Sequence, residues 1–369
     1  MTRSDSAARL ACSLVRVPGK VIVSGEHAVV YGTPALACAI QQYAFAKVTS
    51  TDVSGVYLKV PAFGIDQHFS HLQLSQLAQK TQLRHQQFLN HTALLTNVVV
   101  NPAQFFAAAM GASGLIEILS HPPGLEIELS MDLIAGGGMG SSAALVAAML
   151  AAAFKHLGQP LTAAQLISKT THSEHWQHGR SSGLDPYVCV MGGLQRYQKG
   201  FAERQMLNPL RPLFLVTTGK PDSSTGECVE AVKQQHFPPS LWEEFASVQE
   251  KLLQCLSHNP HLNDPSISLG SEVANEVANE ARMVSAIAAN HQLLQHIGVV
   301  PNRVAAFIAH IETSGGAAKI CGAGSVVGDQ AGLVLVIGLG SMDLQKICLD
   351  YGYSVQQMQP DLEGVFYFD

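Results

Sequence analysis

Charge is scarce in this chain of 369 residues: Asp, Glu, Lys and Arg make up 14% of it, against 47% apolar residues. That balance excludes a disordered chain and predicts a soluble globular protein with a sizeable core. Runs of Lys and Arg are missing too, and the formal net charge is −6, which argues against nucleic acid as a partner. Small anions stay compatible with an acidic protein, because local dipoles can hold them. The seven cysteines, Cys12, Cys38, Cys189, Cys228, Cys255, Cys321 and Cys348, contain no Cys-x-x-Cys pair. Neither a zinc ribbon nor a disulfide framework follows from such a set, and reduced thiols in a cytoplasm fit best. The alanine-rich run from Ala143 stops at Lys155 after roughly a dozen residues, short of the ~20 a spanning helix requires. Arg3, Asp5, Arg9 and Arg16 enclose no apolar centre of a secretory signal. The expected location is cytoplasmic, without a membrane partner.

What is present in a telling arrangement is glycine. Ile134-Ala135-Gly136-Gly137-Gly138-Met139-Gly140-Ser141-Ser142 places four glycines in five positions. Glycine adds freedom that folding must remove, so the cluster makes sense where a backbone turns sharply beneath something bulky. Ser141-Ser142 opens a helix whose continuation, Ala143 to Leu150, holds strong helix formers. A glycine loop at a helix start is an anion site: free N–H groups and the positive end of the dipole face the ligand. A tight turn that packs a helix on a sheet is the plain alternative. The P-loop pattern fails, because Ser141 stands where it requires lysine, and the dinucleotide fingerprint fails on spacing and mid-chain position.

Leu125-Glu126-Ile127-Glu128-Leu129 alternates apolar and charged residues and predicts a half-exposed strand feeding that loop. Further strands are expected at Ser13–Val17 and Val21–Val23, interrupted by Pro18-Gly19, and at Tyr43–Ser50, Val56–Val60, Leu213–Thr217 and Leu333–Ile337. Helices are expected at Pro34–Ile40, Gln73–Phe88, within Asn97–Met110, and at Ala163–Trp176, Leu241–Leu256 and Gly270–Ile297. The doubled Val-Ala-Asn-Glu at Val273–Glu280 is too short for a repeat architecture. Strands and helices interleave without strict βαβ alternation, which predicts an α+β fold with mixed sheets. The length allows two domains, with a boundary near residue 205 after the polar run Gln198–Gln205.

Three more segments accompany the loop: Pro18-Gly19-Lys20 through Gly25-Glu26-His27-Ala28-Val29-Val30-Tyr31-Gly32, then His178-Gly179-Arg180-Ser181-Ser182-Gly183-Leu184-Asp185, then Lys319-Ile320-Cys321-Gly322-Ala323-Gly324-Ser325. Taken in order, the four resemble the GHMP small-molecule kinases, the family of galactokinase, homoserine kinase, mevalonate kinase and phosphomevalonate kinase. The first segment is similar to the mevalonate kinase branch: Ala28-Val29 stands where galactokinases carry Thr-Asp, and His27 where phosphomevalonate kinases generally have Tyr. Asn290-His291-Gln292-Leu293-Leu294 ahead of Gly298-Val299 is similar to that branch as well.

The resemblance implies a two-domain α+β fold of mixed and antiparallel sheets, with an N-terminal ATP-binding domain over 1–205, a C-terminal domain over 206–369 and the active site in the cleft between them. It implies ATP and Mg²⁺ as cofactors and mevalonate as the acceptor, phosphorylated on its terminal hydroxyl to 5-phosphomevalonate for isoprenoid precursor synthesis. Another acceptor (phosphomevalonate, a sugar or an amino alcohol) and a catalytically silent binding protein are the alternatives. Dimers are frequent in the family, which leaves a homodimer open.

By the same resemblance, Gly136, Gly137, Gly138, Met139, Gly140, Ser141 and Ser142 would hold the ATP phosphates, with Ser142 and Glu174 on the magnesium. Asp185 would accept the proton of the attacking hydroxyl, and Lys20 would pair with it. Glu26 and His27 would line the acceptor pocket, and Thr225 would face the substrate hydroxyls. Each residue also has a plainer reading. Paired serines cap helices, Asp185-Pro186 starts one, a lysine after Pro-Gly is a solvated turn, Glu174 is a helix surface charge, and a histidine can sit in a core. His172, His175 and His178 beside Glu174 step around a helix by threes without a His-Glu-x-x-His pattern, which speaks against zinc. The chain departs from the family pattern at Ile134 and Ser181, where proline is usual, and at Ser325-Val326-Val327, where many members continue with glycine. Two β-branched residues resist positive φ, so the third glycine segment is expected to follow a path of its own.

Overall fold

The computed structural model describes residues 12–119, 123–134, 136–205, 212–256 and 269–368, with side chains of the last span from 277 onward. Ala135, the charged residues before Cys12 and the first residues after position 205 lie outside this set, and the first half of the Val-Ala-Asn-Glu doublet is described by its backbone alone.

Seven strands come first: β1 (Ser13–Ser24), β2 (Ala35–Thr51), β3 (Val56–Val60), β4 (Ile65–Phe69), β5 (Gly124–Met131), β6 (Leu194–Gln198) and β7 (Phe201–Gln205). They belong to one sheet in the order β1-β2-β5-β3-β4, with β6 joined to β2 and β7 to β6. β3 runs parallel to β5 and every other pairing is antiparallel. The next four, β8 (Phe214–Gly219), β9 (Ala317–Ile320), β10 (Gly332–Ile337) and β11 (Ser354–Gln357), form a second, antiparallel sheet ordered β11-β8-β10-β9. The last strand, β12 (Phe366–Tyr367), crosses back to the edge of the first sheet beside β1.

Eleven helices are described: α1 (His71–Leu89), α2 (Pro102–Ala112), α3 (Leu115–Ile118), α4 (Ser141–His156), α5 (Ala163–His178), α6 (Leu184–Met191), α7 (Thr225–Gln234), α8 (Pro239–Leu256), α9 (Leu269–His296), α10 (Asn302–Thr313) and α11 (Ser341–Tyr351). Every residue from Ala143 to Phe154 in α4 is buried. A helix apolar on all sides has to be wrapped, and the methyl side chains of its alanines let it lie between the first sheet and α5 and α6. None of the described helices is long and apolar enough to cross a membrane.

Two expectations need correcting. Pro34–Ile40 is not helical: Ala35–Ile40 forms the wholly buried start of β2, laddered between β1 and β6. Alanine's helix preference is worth tenths of a kcal/mol per residue, and paired strands on both sides outweigh it. Pro18-Gly19 does not split β1 into two strands either. The ladder to β2 continues through a register shift at Pro18/Gly19, a bulge that absorbs the proline's missing donor.

Candidate active site

The glycine loop leaves the end of β5 and enters α4 through Gly140, which takes the N-cap position in the left-handed conformation with no side-chain cap. The first-turn amides of α4 therefore stay open to an anion, since the first N–H groups of a helix lack internal partners. Neither Ser141 nor Ser142 serves as a cap. Gly138, at φ 90°, lies so close to the third glycine segment that a β-carbon there would come 2.7 Å from the carbonyl oxygen of Cys321. A β-carbon on Gly332, at the start of β10, would likewise press to 2.8 Å from the Gly137 carbonyl. The loop is thus wedged against the second sheet.

Lys20 ties the loop to the far side of the site. Its backbone N–H donates to the Met139 carbonyl at 2.9 Å, and its ammonium lies 3.1 Å from Asp185 Oδ1. The Lys20 side chain is buried, while that of Asp185 keeps 29% exposure, enough to meet a ligand. Asp185 is the second residue of α6, whose N-cap is Gly183, so its carboxylate is not spent on capping. Across from it, Ser142 Oγ donates to Glu174 Oε1 at 2.7 Å, and the other carboxylate oxygen lies 3.2 Å from His178 Nε2. Burial works against protonating His178, but the hydrogen bond and charge of Glu174 outweigh it and raise its pKa. Glu174 is itself buried rather than a surface charge. Burial pushes the Cys189 thiol, behind the loop on α6, well above its ordinary range.

Glu26 and His27 sit deeper than a pocket lining. Glu26 is wholly buried and paired with Lys319 of β9, which also reaches the Ile22 carbonyl at 3.3 Å. Burial raises the Glu26 pKa against the opposing pull of that lysine, and Oε2 has no hydrogen-bond partner among the described residues. His27 holds φ 58° and lies 2.9 Å through Nε2 from the Ala323 carbonyl. Burial lowers its pKa, so the ring stays neutral. A carbonyl only accepts, so Nε2 carries the proton and Nδ1, which is buried without a partner among the described residues, is left as an acceptor. Such a nitrogen can receive a hydroxyl proton and offers nothing to a carboxylate.

Thr225 is exposed at the first turn of α7, where Ser224 and Glu227 form a capping box. Two residues earlier, Ser223 meets the third glycine segment: Ser325 Oγ lies 3.0 Å from Ser223 Oγ, accepts from Ser223 N at 3.1 Å and donates to the Val327 carbonyl at 2.7 Å. Val326 and Val327 keep negative φ, and the serine pair fastens the turn that glycines would otherwise make.

Lys319 and Ser223 have no role in the sequence reading, and His178 enters it only among the histidines weighed for zinc. A lysine inside the apolar run Ala317-Ala318-Lys319-Ile320 was a usable signal, because a buried lysine requires a carboxylate partner. His178 and Ser223 carry no such mark. His172 and His175 pack on Trp176 and His85 instead.

Residues 97–193 match the model of the GHMP kinases N terminal domain. The chain is 28% identical to the mevalonate kinase of Archaeoglobus fulgidus over 311 residues, covering 84% of this chain and 89% of that protein. In fold it is similar to the mevalonate kinase of Methanococcus jannaschii, with a TM-score of 0.71 at 16% identity over 96% of this chain and 99% of that one. A similar likeness, TM-score 0.61 at 21% identity over 94% and 95% of the two chains, holds with the L. major mevalonate kinase in complex with R-mevalonate. Ordered glycine segments, a shared fold and curated relatives converge: residues 97–193 match the GHMP kinases N terminal domain, and over 84% of its length the chain is similar to curated mevalonate kinases.

Proposed function

We propose that the protein is an ATP-dependent kinase that transfers the terminal phosphoryl group of ATP to the terminal hydroxyl of mevalonate, giving 5-phosphomevalonate and ADP. The observation that carries this reading is Lys20, which joins the glycine loop and the carboxylate of Asp185 within one site. Phosphoryl transfer asks mainly for positioning and charge stabilisation. The uncapped amides of α4 would receive the phosphates. Asp185 would orient the alcohol and accept its proton as the oxygen bonds to phosphorus and the bond to the ADP oxygen breaks. Lys20 holds Asp185 in place and keeps a positive charge beside the attacking oxygen.

A magnesium ion suits Ser142 and Glu174, a hydroxyl and a carboxylate facing one another at 2.7 Å, since hard ions prefer such oxygens. Bound there, it would neutralise charge on the phosphate oxygens. The curated relatives named mevalonate kinase support the acceptor assignment. A recess of about 520 Å³ beside Phe63, Asp66, Asn101 and Gln104 is offered for the adenine. Within this reading, residues 1–205 form the ATP-binding unit and 206–369 the second unit, a division supported by the change of sheet after β7. A homodimer in the cytoplasm belongs to the same proposal.

Purified protein given ATP, Mg²⁺ and mevalonate should release ADP and yield a phosphomonoester visible by phosphorus NMR. Silence with mevalonate and turnover with another alcohol in the same assay would overturn the acceptor assignment.

A further inference from the structure

Lys220 follows directly on β8 and belongs to the second sheet, yet its side chain reaches the glycine loop. A β-carbon on Gly136 would lie 3.8 Å from Lys220 Cε and 3.9 Å from its Cγ, so the lysine stem runs across the open face of the loop's first glycine. Its side chain is exposed, and no partner holds its ammonium among the described residues. The other two lysines of the site are committed, Lys20 to Asp185 and Lys319 to Glu26. Asp185 and Glu174 both add negative charge to a place that would receive a triphosphate. Backbone amides supply only partial charges, so an uncommitted cation beside the loop is what this site otherwise lacks.

The strand end that carries Lys220 is also pinned. Thr218 Oγ1 donates to the Gly332 carbonyl at 3.0 Å and accepts from the Ala331 N–H at 3.0 Å. Gly332 in turn abuts the Gly137 carbonyl. Gly219 turns at φ 117° against the Gln330 side chain, and Pro221 stiffens the chain on the other side. Lys220 is therefore launched from a backbone braced on the loop it faces.

We propose that Lys220 is a substrate-contacting residue that closes on the terminal phosphates of a bound nucleoside triphosphate from the second sheet. The inference rests on the reading of the glycine loop as a phosphate site. As a compact cation on a flexible stem, the ammonium suits a phosphate without a fixed fork geometry. Its contact belongs to the β and γ groups and not to a nucleoside monophosphate.

The test is calorimetric titration of wild type, Lys220→Met and Lys220→Arg with Mg·ATP, ADP and AMP, together with KM for ATP and for the alcohol. A hydrogen bond to a charged group is worth about 1.5–3 kcal/mol, or roughly tenfold and more in affinity. Lys220→Met should weaken ATP by at least about tenfold and leave AMP unchanged, and Lys220→Arg should recover most of the loss. Lys233→Met, an exposed lysine on α7, should change nothing, and melting temperatures should agree throughout. Unchanged ATP affinity, equal losses for ATP and AMP, or a change confined to KM for the alcohol would each overturn the proposal. Binding is read without turnover, so a wild type that binds ATP but ignores mevalonate would sink the functional reading and leave the role of Lys220 to be decided by the titration.

Discussion

Asp185 and Glu26 are both carboxylates paired with a lysine, and their surroundings suit them to different work. Asp185 keeps part of its surface open and has room for a substrate hydroxyl, whereas Glu26 and Lys319 are sealed from solvent. Asp185→Asn keeps the shape and removes the proton acceptor, so kcat should fall by about 10²–10⁴, the usual worth of general-base help. Calorimetry on that variant should find ATP affinity little changed, and a matching loss of affinity would mean that Asp185 serves the fold instead. Lys319→Met strands a buried carboxylate, and breaking such a pair costs about 3–5 kcal/mol. Combining it with Glu26→Gln removes the stranded charge and should restore most of that stability in urea unfolding. A double variant no more stable than Lys319→Met would show that the pair's charges are not what the interior demands.

At the scale of elements, the decisive contacts lie between glycine segments distant in sequence. Ser325 spends its hydroxyl on Ser223 and on the Val327 carbonyl, so Ser325→Ala leaves buried polar groups unpaired at a cost of about 1–3 kcal/mol. Thermal unfolding should register that loss, and an unchanged melting temperature would mean that the valine turn holds without the serine. Gly138→Ala meets a backbone carbonyl that cannot move aside, and turnover should drop more than stability does, because the loop is displaced from its contact with Cys321. The loop was legible because backbone demands of this kind write glycine into a sequence, and β5 was legible because one face is wet and the other dry. Ala35–Ile40 was not, since a strand buried on both faces shows no alternation and its alanines read as helix. Lys319 stood inside a quoted motif, but its partner is fixed only when β9 packs beside Glu26. Lys220 sits after a strand with no local sign that Gly136 lies opposite.

Across the whole molecule, polar contacts cross the apolar interior that the two sheets share: Lys319 to Glu26 and to the Ile22 carbonyl, and His27 to Ala323, with β12 strapping the chain end back to β1. Interior histidines make such a junction sensitive to acid. Burial and the nearby positive charge of Lys319 hold His291 neutral down to a pKa of about 4, and burial also lowers His27. The unfolded chain protonates these rings near 6.5, so between about pH 6.5 and 4 it binds protons that the native state refuses. Stability must therefore fall as pH drops through that window. His291 accounts for up to about 3 kcal/mol of the loss, because its ring protonates near 6.5 in the unfolded chain and only at about 4 in the native one. His178 runs the other way: its raised pKa gives stability that is present below about 6.5 and lost as pH rises through the folded value. Urea midpoints for wild type should decline from about pH 7 to pH 4.5. His291→Gln should show a shallower decline, because one of the rings that must stay neutral has been removed. An equally steep decline in that variant would place the acid sensitivity outside the His291 environment and remove the interior junction as its source.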